Sequence, residues 1–140
     1  MKILYIVFIA VVVFLNQAYA SCGDYPIIKG KRSDGRVVSV YIKDDYIMGT
    51  DSWGGEYGKD IALSQSEVLG IFYDWVSKSD QFNSVKVFSI SLNRHGCSEL
   101  KDKWYYTISY NPLVNGLELQ DVGFWLIILL DGRVVEPVVE

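Results

Sequence analysis

The chain has one histidine, two cysteines and three prolines among its 140 residues. His95 as a zinc ligand needs two or three companions, and two cysteines that pair with each other do not supply them. Three prolines, with no low-complexity tract, internal repeat or charge block, leave no linker and no second domain. Basic residues are in deficit, 13 Lys and Arg against 17 Asp and Glu. That balance argues against sequence-independent nucleic-acid binding, which needs a basic face, and against electrostatic docking on anionic lipid. No Gly-x-Ser-x-Gly elbow, phosphate loop or His-Glu-x-x-His is present. A chain this short has few places to assemble a catalytic site from distant parts, and no cofactor is called for.

What is present begins at the first residue. Lys2 supplies a positive charge, residues 3–15 run apolar without interruption, and Ala18-Tyr19-Ala20 places small residues at a cleavage site. That order is a secretory signal peptide over 1–20. The apolar run is shorter than the about 20 residues a membrane span needs. The expected mature protein is a single domain over 21–140, exported to the periplasm or the medium, with no membrane span after cleavage. Loss of Lys2 leaves it 12 basic and 17 acidic residues, a net charge of −5.

Cys22 and Cys97 both survive cleavage. In an oxidising compartment an even pair reads as one disulfide. The loop it closes is long, so the chain-entropy model assigns it about 4 kcal/mol. A second reading makes Cys22 a lipidated first residue, but Tyr19-Ala20-Ser21 lacks the aliphatic residue of a lipobox and the Ala-x-Ala site is better. A third makes Cys97 a nucleophile beside His95, with no orienting partner at a recognisable spacing.

Residues 36–42 alternate as a strand, with Val38, Val40 and Ile42 on one face. Ser33-Asp34-Gly35 is a turn before it, across which Ile27 and Ile28 pair. Lys43-Asp44-Asp45 reads as a further turn and Tyr46-Ile47-Met48 as a short strand. Residues 49–60 hold four glycines and read as a loop. A helix starts at Ser64, where Ser64 and Glu67 form a capping box. Val68, Phe72, Trp75 and Val76 make its apolar face, and it ends over 77–80. Gly70 inside it implies close approach to a strand. Residues 83–92 form a strand with Phe88, Ile90 and Leu92 on one face. Val85 and Val87 fall on the opposite phase, so a bulge or two-sided burial is expected near Val87. Residues 103–111 alternate well. Residues 123–130 are almost wholly apolar, as in a strand covered on both faces. Asp131-Gly132 is a hairpin signal, and 133–139 returns as an edge strand because Pro137 cannot donate to a ladder.

The implied class is α+β, a curved antiparallel sheet packed on one main helix in two layers. This resembles the cystatin-like or NTF2-like layout in element order alone, without signature residues of either family.

Asp51, Trp53, Glu56, Tyr57 and Asp60 share the glycine-rich loop and form the candidate binding site. Trp and Tyr beside carboxylates can stack on a sugar ring and bond its hydroxyls, or form a hot spot against a protein. Trp53 and Tyr57 can also fold back to cap the core. The acids Asp44, Asp45, Asp51, Glu56 and Asp60 do not follow an EF-hand spacing. His95, in Asn93-Arg94-His95-Gly96-Cys97, reads as an exposed loop residue beside the disulfide. Asp44 and Asp45 suggest a glycosidase carboxylate pair, but neighbours in a strand point to opposite faces and do not form one, so they read as turn residues. The composite expectation is an exported binding protein with a protein partner, an inhibitor or an immunity-type neutraliser of a toxin or hydrolase. The alternatives are a small secreted hydrolase and a carbohydrate-binding accessory module.

Overall fold

The computed structural model describes residues 22–56, 58–82 and 84–140. The expected leader, Ser21, Tyr57 and Asn83 lie outside them. A short 3-10 turn over Cys22–Asp24 precedes strands β1 (Ile28–Lys31) and β2 (Val37–Val40). Helices α1 (Asp44–Met48) and α2 (Gln65–Ser77) follow. Then come β3 (Ser84–Arg94), β4 (Trp104–Val114), β5 (Leu117–Glu118), β6 (Trp125–Leu129), β7 (Val134–Val135) and β8 (Val138–Val139). The strands form two antiparallel sheets. One has the order β1-β2-β8; the other runs β3-β4-β6-β7, with β5 paired to β4.

α2 begins where its cap dictates. The Ser64 hydroxyl accepts from the Glu67 amide at 3.3 Å, and the Ser64 amide donates to Glu67 Oε2 at 2.8 Å. These bonds satisfy donors that the first turn leaves unpaired. The serine also holds the Glu67 carboxyl below its ordinary pKa. Val68, Phe72 and Val76 then fall on one face and are buried. They meet Tyr106, Ile108, Tyr110, Leu126, Ile128 and Leu130 on the large sheet.

Alternation along β4 and β6 sends Tyr105, Ile127 and Leu129 to the opposite face. There they meet Val40, Ile42 and Ile47. The small sheet and α1 are thus a second cover, which explains the unbroken apolar run of β6. The α+β expectation of a sheet on one helix is met, and a second sheet is added behind it. Close approach of the two sheets requires glycine at two points. A Cβ on Gly30 would lie 2.4 Å from Val122 Cγ1 and 2.7 Å from the Trp125 ring. Gly123 has φ +100°, and a Cβ there would lie 2.8 Å from Val38.

The bulge near Val87 is present. Val87 pairs with Tyr110 and Ser89 with Ser109, so Phe88 has no partner on β4. The extra residue brings Val85 and Val87 into phase with Ile90 and Leu92 against the helix-side core. Phe88, expected on that face, is 56% exposed.

Three local expectations are corrected. Tyr46-Ile47-Met48 belongs to α1 and not to a strand. Asp44 and Asp45 occupy its first turn, where carboxylates favour the positive helix end, and the helix buries Ile47 alone. Residues 133–139 do not form one strand. β7 pairs with β6, the chain leaves the large sheet at Glu136-Pro137, and β8 pairs with β2 in the other sheet. Both pieces are edges, as the proline requires. Gly70 makes no close approach, since a Cβ there would meet nothing within 4 Å. Asn115 (φ 52°) and Gly116 (φ 77°) turn β4 into β5. An Asn-Gly pair with both φ positive is the signature of a type I′ hairpin turn.

Candidate functional site

The loop over 49–60 is irregular, as expected, and Trp53 folds back. Its ring meets Trp104 edge-on at a centroid distance of 5.0 Å. Its amide donates to Asp102 O, and its carbonyl accepts from Trp104 Nε1 at 2.7 Å. Asp51, Glu56 and Asp60 are exposed, and Glu56 pairs with Lys59 at 2.6 Å. Tyr57 is outside the described residues. Trp53 therefore caps the open edge of the helix-side core, with the loop acids around it in solvent.

Cys22 and Cys97 form the disulfide, with Cα atoms 6.1 Å apart. Both pack against the second core, between the two sheets. His95 is beside them but is not an exposed loop residue. It is 7% exposed. Its Nδ1 accepts from the Cys97 amide at 3.2 Å, and its ring meets Tyr105 edge-on. The strand pairing carries it inward, because its amide donates to Lys103 O at the mouth of the β3–β4 ladder.

Burial lowers the His95 pKa below its ordinary 6.5, and the nearby Asp44 charge opposes that shift. Protons therefore bind the unfolded chain more readily. Stability is complete above the unfolded value of about 6.5 and is lost as pH falls through it toward the lower folded value. The unfolding midpoint is expected to drop between about pH 7 and about pH 5, and His95→Gln to flatten that stretch. Urea unfolding across that range checks it; an unchanged slope in the variant would assign the titration to another group.

An open cleft of about 840 Å³ lies between the Cys22–Asp24 turn, α1 and the β7–β8 segment. Asp24, Asp44, Asp45 and Glu136 line it, together with Lys43, Tyr41 and Tyr46. Tyr46 is held from two sides. Lys43 Nζ lies 5.7 Å from its ring centroid and the Arg133 guanidinium 5.0 Å. Arg133 also donates to Tyr46 O at 2.7 Å and pairs with Asp131 at 2.6 Å. The Tyr41 hydroxyl donates to Glu140 Oε1 at 2.9 Å. Asp44 and Asp45, expected in a turn, reach this cleft because α1 replaces the strand. Glu136 reaches it because the chain crosses between sheets there. No local motif announces the crossing at Glu136.

Among the described residues no three His, Cys, Asp or Glu side chains come together as a metal site. Among them no helix is long and apolar enough to cross a membrane. Comparison with protein-family models, with curated proteins and with solved structures finds no match to this chain, and the expected likeness to cystatin-like or NTF2-like layouts is not confirmed.

Proposed function

We propose that this chain is exported and acts as a binding protein whose partner is a basic protein, in the manner of an inhibitor or an immunity-type neutraliser of a toxin or hydrolase. The observation that carries the reading is the acidic, tyrosine-bearing cleft. Its carboxylates suit lysine and arginine. Tyrosines are among the residues that carry binding energy at protein interfaces. Like charges gathered on one face speed encounter with a partner of opposite sign. The disulfide supports export, since such bridges persist outside the reducing cytoplasm.

The hydrolase reading needs a hollow sheet face, whereas both faces of the large sheet are filled by side chains.

Asp24 and Asp45 are exposed, so Asp24→Lys with Asp45→Lys reverses the cleft's charge without emptying the core. The protein captured by wild type from the medium of competing cells is expected to be basic. Its complex with the purified variant is expected to weaken about tenfold or more, with the loss mainly in the salt-dependent association rate. An acidic partner, or equal affinity of both proteins for it, would overturn the proposal.

A further inference from the structure

Glu136 also lines a second pocket, of about 620 Å³, where the end of α2, the β1–β2 turn and the C-terminal segment meet. That volume is in the range of small-molecule sites, about 300–1,000 Å³. The two concavities share Glu136 alone. Trp75, Phe82, Tyr110 and Phe124 line the second one, and the Tyr110 ring centroid is 5.9 Å from each of the other three.

Tyr110 is the unusual member. It is only 4% exposed, yet its hydroxyl has no hydrogen-bond partner among the described residues. Tyr106, four residues earlier on β4, donates to Leu63 O at 2.9 Å. The Tyr110 hydroxyl is not sealed from solvent: it opens to the pocket and is free to bond what enters it. Burial first, and the Glu136 charge second, raise the Tyr110 pKa, so the group is a neutral donor.

Two charged groups beside it have open valences. Glu136 Oε1 accepts from Trp75 Nε1 at 2.6 Å, while no hydrogen bond among the described residues engages Oε2. The Arg32 guanidinium sits 5.3 Å from the Phe124 centroid, and its Nε donates to Val122 O at 3.3 Å. Arg36 and Lys78, the other lining cations, are paired with Asp34 at 2.6 Å and Asp74 at 2.5 Å. Arg32 makes no ion pair among the described residues, so its terminal nitrogens are available to an anion.

We propose that this pocket binds an acidic sugar of the uronic-acid type, its ring face against the aromatics, its carboxylate on Arg32 and its hydroxyls on Tyr110 and Glu136. Aromatic rings take the apolar face of a sugar, and a guanidinium takes a carboxylate in two parallel bonds. The site needs no protein partner in the acidic cleft and is tested without one.

The test titrates sodium glucuronate and galacturonate, with glucose and benzoate beside them, into the full chain with its disulfide formed. The reporter is the Trp75 indole N–H signal, assigned by its loss in Trp75→Phe. At least one uronate is expected to shift it saturably in the millimolar range. Tyr110→Phe is expected to weaken that binding about tenfold without lowering the urea midpoint, because the hydroxyl it removes is unpaired in the free protein. Arg32→Gln is expected to abolish the preference for the uronate over glucose. No saturable shift with either uronate overturns the proposal, and so does a lower midpoint for Tyr110→Phe. Benzoate binding as tightly as the uronates overturns the sugar, and glucose doing so overturns the acid.

Discussion

Replacing Cys22 and Cys97 together by Ser is expected to lower the free energy of unfolding by about 4 kcal/mol. The bridge joins residues 75 apart in sequence. Cutting it returns most of the loop-closure entropy of a long segment to the unfolded chain. The Cα separation of 6.1 Å is within the ordinary range for disulfides. Both sulfur-bearing residues also pack against the second core beside buried His95. A domain of this size has about 5–15 kcal/mol in total, so the loss is a large share of it. Urea unfolding reads the effect. Reduction of wild type is expected to give the same shift, and reductant to leave the double variant unchanged. A loss below about 1 kcal/mol would mean that the bridge does not hold the N-terminal segment to the body.

Phe72→Ala is expected to cost about 3–5 kcal/mol. Phe72 is 0% exposed. Its ring centroid lies 5.3 Å from Tyr110 and 6.1 Å from Trp75, so its removal leaves a cavity where α2 meets the large sheet. Aromatic side chains of that size cannot be replaced by collapse of a stiff sheet. Tyr73, the next residue, is 51% exposed, and Tyr73→Ala is expected to cost less than about 1 kcal/mol. Chemical unfolding of the two variants side by side checks the pair. Equal losses would mean that α2 is docked through a different face.

These contrasts show what was legible in the sequence. The start of α2 was readable because Ser64 and Glu67 are three residues apart and satisfy each other locally. The Phe88 bulge was readable because a phase break in an alternating strand has few other solutions. α1 was not, because five residues are too few to show a helical period, and its signal was the pair of acids at its start. The small sheet was only half readable. The apolar β6 required a second cover, but nothing local says that Val138 and Val139 reach across to Ser39 and Val38. Trp53 could face outward or inward on composition alone, and Trp104 decided it. The Tyr110 pocket draws on the β1–β2 turn, α2, β4 and the C-terminal segment, so no window of sequence contains it.

The proposed export requires the chain to cross a membrane, shed its first twenty residues and close one sulfur bridge. Intact mass of the native product, with and without thiol alkylation, reads all three at once. The expected result is a single species beginning at Ser21, lighter than its reduced form by two hydrogens and taking up alkylating agent only after reduction. A product that retains Met1, or that is alkylated at Cys22 and Cys97 without reductant, would contradict it.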